Sequence, residues 1–155
     1  MATEIERKYL VAGDGWRGDH VGVPIRQGYL AVTDRSAVRV RTEGDEAYLN
    51  IKQATLDIQR TEFEYPVPLA DANHMLGRLC VGHVIEKTRY EIAHQGFTWE
   101  IDVFHGANEG LVVAEIELES RDQTFERPPW LGEEVSGDPR YLNSSLSQTP
   151  YSQWR

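Results

Sequence analysis

Charged and apolar residues alternate along most of this chain, and this alternation constrains the fold more than any other feature of the sequence. Near the N-terminus, Glu4, Glu6 and Lys8 occupy every second position, and Ile5 and Tyr9 fall on the other parity. Residues two apart on a β-strand share one face. Such a run therefore predicts a strand with one charged face and one largely apolar face.

The same reading applied to the whole chain predicts a mainly β protein. Turn signals separate eight runs rich in Val, Ile, Tyr and Phe, which we interpret as strands. They cover about 2–11, 24–32, 36–43, 46–53, 59–67, 82–94, 97–105 and 111–120. Very short turns predict two antiparallel hairpins, 36–43 with 46–53 and 82–94 with 97–105. The last run also contains Ala, Leu and Glu, which suit a helix as well.

Three helices are expected in the remaining segments. The first runs from Leu69 to Leu79, and a short second one begins at Arg121. The third follows Asp138-Pro139, where an aspartate at the N-cap and a proline at the first helical position form a good start signal. We expect one domain over 1–155, with 121–155 as a helical tail able to plug one end of it.

Seven of the eight predicted strands carry a charged face, and the charges are sorted by sign. The third, fourth and sixth strands present basic residues, whereas the first, fifth, seventh and eighth present mainly acids. A sheet with one face in water explains any single strand, but a solvated face usually mixes the two signs. Glu115, Glu117 and Glu119 share one face, and their repulsion costs stability unless a cation compensates it.

A closed barrel with its charged face inward accounts for this sorting. Eight strands can enclose a lumen wide enough for one small ligand. Carboxylates on one side would bind hard divalent cations, and arginines and lysines on the other would bind a polyanion. The predicted fold class is α+β and mainly β: a closed eight-stranded antiparallel β-barrel, or tunnel, with a charged interior and a few covering helices.

Composition limits the partners. The chain has 155 residues and a formal net charge of −9, which disfavours non-specific binding to nucleic acid or to an anionic membrane. We expect no membrane span and no secretory signal, because no long apolar run is present. The single cysteine, Cys80, favours a reducing, cytoplasmic location.

Several motifs together resemble the CYTH superfamily, the triphosphate tunnel metalloenzymes. The N-terminal Glu-x-Glu-x-Lys begins at position 4, and its companions follow in the same order and with similar spacing as in that family. They are Arg39-Val40-Arg41, Lys52, Glu62-Phe63-Glu64, Glu86-Lys87-Thr88-Arg89-Tyr90, Asp102 and Glu115-Ile116-Glu117. The tail resembles that of short bacterial members.

The resemblance implies chemistry on a triphosphate that depends on Mg²⁺ or Mn²⁺, with two ions per site. It implies metal ligands at Glu4, Glu6, Glu115 and Glu117, with Glu62, Glu64 and Asp102 as further acids. It implies triphosphate contacts from Lys8, Arg39, Arg41, Lys52, Lys87 and Arg89. Tyr29 and Lys8 are the candidate catalytic residues, although Tyr29 could equally be a packed tyrosine, and a metal-activated water is the preferred nucleophile.

The sequence is compatible with several functions. The leading one is hydrolysis of inorganic tripolyphosphate, with a monomer or a homodimer as the working form. A class IV-type adenylate cyclase and a thiamine triphosphatase are the enzymatic alternatives. A polyphosphate or nucleotide binder without catalysis, and an acidic β-domain without a site, are the non-enzymatic ones.

Overall fold

The computed structural model describes residues 3–154, and β-strands dominate it. The strands are β1 (Thr3–Val11), β2 (Val23–Val32), β3 (Ser36–Glu43), β4 (Glu46–Gln53), β5 (Gln59–Pro66), β6 (Val81–His94), β7 (Phe97–Phe104), β8 (Val112–Glu117) and β9 (Leu131–Glu134). The helices are α1 (Leu69–Arg78) and α2 (Asn143–Gln148), with single 3₁₀ turns at Gly106–Asn108, Pro139–Tyr141 and Tyr151–Gln153. Within the described residues, no helix is long and apolar enough to cross a bilayer.

The first eight strands close into a barrel. Their order is β5-β4-β3-β2-β6-β7-β8-β1, and β1 returns to β5 through the pairs Thr3 with Thr61 and Ile5 with Gln59. Every neighbouring pair is antiparallel. The predicted closed eight-stranded antiparallel barrel is confirmed.

A ninth strand, which the sequence did not predict, lies on β1 beyond the point where β5 begins. It pairs Tyr9 with Glu134 and Val11 with Leu131, and the next residue, Val135, donates its amide to the Lys8 carbonyl. The reason is that β1 is longer than its pairing with β5, so its remaining backbone groups need another partner.

The short helix expected from Arg121 is wrong. Residues 121–122 lie in a turn, and residues 123–128 have no regular secondary structure. Pro128 and Pro129 follow closely, and proline inside a helix removes a hydrogen bond and clashes with the preceding turn.

Much of the outward face of the barrel is apolar, as predicted, and chain segments cover parts of it. Ala72 and Leu76 of α1 belong to one buried cluster with Val40 and Ala47 of the β3–β4 hairpin. On the other side of the barrel a second cluster is aromatic. Its members include Tyr9, Trp99 and Trp130, with Phe125 packed against them.

Apolar side chains fill one end of the barrel interior. Ile85, Phe104 and Val113 lie two positions from inward charged residues on their strands, so they share the inward face. They form a buried cluster with Leu146 of α2. The charged interior is therefore bounded at this end by an apolar layer to which the tail contributes.

Candidate functional site

The barrel encloses a cavity of about 450 Å³ whose wall is mostly charged. All but one of the predicted site residues line it. They are Glu4, Glu6, Lys8, Tyr29, Arg39, Arg41, Lys52, Glu62, Glu64, Lys87, Arg89, Glu115 and Glu117. Strand periodicity explains this convergence, because each contributing strand places alternate side chains inside.

Two arginines of β3 form one basic part of the wall. Arg39 is 7% exposed, has no carboxylate within 4.0 Å among residues 3–154, and its Nε lacks a hydrogen-bond partner there. Arg41 lies 3.4 Å from Glu64 and 3.9 Å from Glu43. Burial and the neighbouring Arg39 lower the pKa of Arg41. Cations held together with so few counter-charges favour an anionic ligand.

Lys52 of β4 extends this basic region toward the acids. Its Nζ lies 3.4 Å from a Glu4 oxygen and 3.3 Å from a Glu62 oxygen. Burial, followed by the Arg39 charge, lowers the pKa of Lys52 to about 8. The ammonium thus bridges carboxylates from β1 and β5 across their seam.

The carboxylates of β1 and β8 face each other directly. Glu6 is opposite Glu117 in the strand register, and Lys8 is opposite Glu115. Burial, and then the adjacent Glu115 carboxylate, raise the pKa of Glu6 well above its usual value. Burial acts in the same direction on Glu115, but Lys8 and the hydrogen bond with Glu6 hold the pKa of Glu115 well below its usual value. Two neighbouring carboxyls that perturb each other's pKa in this way are a place where a cation is stabilised.

The donor set suits Mg²⁺ or Mn²⁺, because both prefer carboxylate oxygens. As the side chains stand, no group of three or more His, Cys, Asp or Glu residues in the described part of the chain converges tightly enough to hold a metal. Salt bridges of Glu4 to Lys52 and of Glu115 to Lys8 account for part of this separation. The residues therefore fit a divalent cation in chemistry and location, and individual carboxylates would have to leave these ammonium groups to bind one.

Asp102 is the predicted site residue that does not line the cavity. It is fully buried, and its Oδ2 lies 2.7 Å from Lys87 Nζ. Arg89 donates Nε to Oδ1 at 2.8 Å and Nη2 to Oδ2 at 2.9 Å. The structure thus places Asp102 behind Lys87 and Arg89, outside the wall that the other predicted acids line.

The two candidate catalytic residues both reach the cavity. Tyr29 is buried and lies opposite Arg39 in the strand register, at a point where β2 shifts register against both neighbours. The backbone at Gly28 passes so close to Cys80 that a Cβ there would stand 2.5 Å from its Sγ. Lys8 donates its Nζ to the Tyr141 carbonyl at 2.9 Å, which fixes the ammonium from the tail side.

Other residues of the wall were not among the predicted site residues. Arg60 and Glu100 lie two positions from the predicted residues Glu62 and Asp102 on their strands. The alternation along each strand therefore already indicated that both side chains point inward. Asn50 lines the cavity next to Arg39 and donates to Glu64 at 3.2 Å. Tail residues Leu142, Asn143 and Ser144 also contribute, but no local pattern marks them.

Comparison with known proteins agrees with this architecture. Residues 2–151 match the CYTH domain family. A protein from Acetivibrio thermocellus named inorganic triphosphatase is 48% identical over 155 residues, covering all of this chain and 99% of that one. An inorganic triphosphatase from Nitrosomonas europaea is 40% identical over 94% of this chain and 97% of its own.

A solved structure agrees as well. The crystal structure of an inorganic triphosphatase superposes with a TM-score of 0.69 at 40% identity, covering 95% of each chain. The shared barrel, the match along nearly the whole sequence and the two relatives lead to one conclusion: the chain belongs to the CYTH domain family.

Proposed function

We propose that this protein hydrolyses inorganic tripolyphosphate to diphosphate and phosphate in a reaction that depends on a divalent metal. One observation carries the proposal: an enclosed cavity brings basic side chains of β1, β3, β4 and β6 to face carboxylates of β1, β5 and β8. A small, highly charged polyanion that is bridged to acids by cations matches this wall. The names of the two curated relatives support the same substrate.

The basic residues bind the phosphate groups in this proposal. Arg39 has the greatest free donor capacity, because no carboxylate among residues 3–154 lies within 4.0 Å of it. The guanidinium groups offer paired donors to phosphate oxygens, and the lysines act as point charges. The contributing side chains are Lys8, Arg39, Arg41, Lys52, Lys87 and Arg89.

The carboxylates bind the cations. We assign Glu4, Glu6, Glu115 and Glu117 as the main ligands, with Glu62 and Glu64 as further acids and with two ions, Mg²⁺ or Mn²⁺, per site. When bound, such ions neutralise phosphate charge and lower the pKa of a coordinated water. Positioning and charge stabilisation then account for most of the acceleration.

Lys8 and Tyr29 handle protons and charge near the reacting groups. One N–H of the Lys8 ammonium is bound by the Tyr141 carbonyl, which leaves two for phosphate oxygens. The Tyr29 hydroxyl can both donate and accept, so it can orient a water or a phosphate oxygen in the cavity. The substitutions Lys8→Met and Tyr29→Phe would remove these donors while keeping the approximate shape of each side chain.

Product analysis tests the function. Purified protein receives tripolyphosphate, ATP or thiamine triphosphate, each with Mg²⁺, with Mn²⁺ and with excess EDTA. We expect metal-dependent phosphate release to be fastest from tripolyphosphate and to vanish in EDTA. Cyclic AMP and diphosphate from ATP, or faster turnover of thiamine triphosphate, would replace the proposal. A rise in melting temperature without turnover would reduce it to binding.

Cytoplasmic location and assembly state complete the proposal. Cys80 is the one cysteine of the chain, which supports a reducing compartment. We propose a monomer or a homodimer with a complete site in each chain, and sedimentation equilibrium distinguishes the two.

A further inference from the structure

Asp102 is connected to two of the basic residues more tightly than any other acid of the site. Its carboxylate receives three donors: Lys87 Nζ at 2.7 Å, Arg89 Nε at 2.8 Å and Arg89 Nη2 at 2.9 Å. The side chain has no exposed surface and does not line the cavity. Both carboxylate oxygens of Asp102 thus already accept hydrogen bonds from Lys87 and Arg89, the residues that lie between Asp102 and the cavity.

A donor count shows what this arrangement leaves for a ligand. Arg89 has five N–H donors, of which two go to Asp102 and one to Glu100 at 3.1 Å. Lys87 has three donors, of which one goes to Asp102. Both residues line the cavity, so their remaining donors are available there in a fixed orientation.

The fork-like contact between Arg89 and Asp102 sets the plane of the guanidinium. A bidentate pair restricts rotation far more than a single hydrogen bond does. Lys87 is only 2% exposed and its ammonium lies 5.4 Å from the centre of the Phe104 ring. The β6–β7 side of the site is therefore organised before any ligand arrives.

We propose that Asp102 is a positioning residue that orients Lys87 and Arg89 toward a phosphate chain, and that it does not bind the metal. This inference rests on the proposed function for the identity of the anion. Removal of the Asp102 charge should change anion affinity in opposite directions for the two roles that this residue could have. If Asp102 acted only as a counter-charge, its loss would strengthen binding of an anion; if it positions the two donors, its loss weakens it.

The test separates anion binding from metal binding. Asp102→Asn and wild-type protein are titrated with tripolyphosphate by calorimetry in excess EDTA, and separately with Mn²⁺ alone by electron paramagnetic resonance. We expect tripolyphosphate affinity to fall about tenfold or more, since an oriented charge-assisted hydrogen bond is at stake. Mn²⁺ affinity should stay within about twofold.

Two control variants show how large a change in affinity the loss of another carboxylate produces. Glu100→Gln removes a partly exposed carboxylate that accepts one Arg89 donor, and we expect a smaller change from it. Asp45→Asn lies in the exposed turn between β3 and β4 and should leave both affinities unchanged. Circular dichroism verifies that each variant is folded at the temperature of titration.

Three results would overturn the inference: unchanged or tighter tripolyphosphate binding by Asp102→Asn, loss of Mn²⁺ affinity in that variant, or no tripolyphosphate binding by wild-type protein in EDTA. If Asp102→Asn does not fold, Asp102→Glu keeps the charge and displaces the oxygens, and weaker anion binding with intact Mn²⁺ affinity is again expected. Metal-dependent turnover by wild-type protein is a separate measurement. Its absence would contradict the proposed function without contradicting the positioning role of Asp102.

Discussion

The two basic sides of the cavity solve the problem of burying cations in different ways. On β6, Arg89 and Lys87 are locked onto the buried Asp102. On β3, Arg39 has no carboxylate within 4.0 Å in the described part of the chain, and Arg41 has only longer contacts with Glu64 and Glu43. The positive charges of the β6 side are held in place by ion pairs that also neutralise them in part. The positive charges of the β3 side have fewer such pairs and can act on a bound anion. Mutations on the β6 side should therefore lower the free energy of unfolding more than mutations on the β3 side.

The largest difference should appear in the free energy of unfolding. Arg89→Ala leaves the buried Asp102 without its bidentate partner, and loss of one member of a buried ion pair costs about 3–5 kcal/mol. Arg39→Ala breaks no ion pair within residues 3–154 and should cost at most about 1 kcal/mol. Urea denaturation at pH 7 measures both, and equal losses would contradict the comparison.

The second difference concerns pH. Burial lowers the pKa of Lys87 to about 8, against 10.5 for an ordinary lysine, despite the nearby Asp102. Between these two values the unfolded chain binds the proton that the folded protein has lost, so stability contributed by this residue rises with pH. Relative to Lys87→Met, the wild-type protein should gain on the order of 3 kcal/mol at most from pH 7.5 to pH 10.5. Paired urea titrations at the two pH values test this, and a flat difference would show that Lys87 titrates normally.

The third effect is on ligand affinity. In EDTA, Arg39→Ala should weaken tripolyphosphate binding by about 10- to 30-fold, because a charge-assisted contact of roughly 2 kcal/mol is lost. Arg39→Lys keeps the charge without the planar fork and should recover part of the affinity. Calorimetry measures both variants, and full affinity in Arg39→Ala would remove Arg39 from the binding wall.

The smallest effect has the opposite sign. Glu64 lies 3.4 Å from Arg41 and its side chain is 35% exposed. Glu64→Gln should make metal-free tripolyphosphate binding about two- to fivefold tighter, since the pair is worth less than about 1 kcal/mol and its loss frees Arg41. Metal-dependent turnover should fall in the same variant if Glu64 also serves the cations. Weaker metal-free binding would instead give Glu64 a role in holding Arg41.

Strand periodicity explains how much of this could be predicted from the sequence. The parity of Glu4, Glu6 and Lys8 is a local property that any strand must respect, so the inward residues of β1 were correctly identified, as were those of β3, β5 and β8. Closure was predictable because charged faces on seven strands, sorted by sign, fit a barrel of eight strands around a lumen wide enough for one small ligand.

Parity could not reveal how far along the barrel, or how deep, each side chain lies. Asp102 has the inward parity of Glu100, yet Lys87 and Arg89 stand between it and the cavity. The position of β9 depends on where β5 begins relative to β1. That offset is set by contacts between distant segments, which no local pattern encodes.

The closure of β1 against β5, β8 and β9 has a consequence for biosynthesis. β1 is made first, but its partner β8 begins at Val112 and β9 at Leu131, more than 100 residues later. At about 5–20 residues per second, the strand leaves the ribosome on the order of 5–20 s before it can be fully paired. An unpaired strand edge readily recruits other chains, and charged side chains discourage this. The charged side chains of Glu4, Glu6 and Lys8 are of the kind that disfavours such pairing of β1 during this interval.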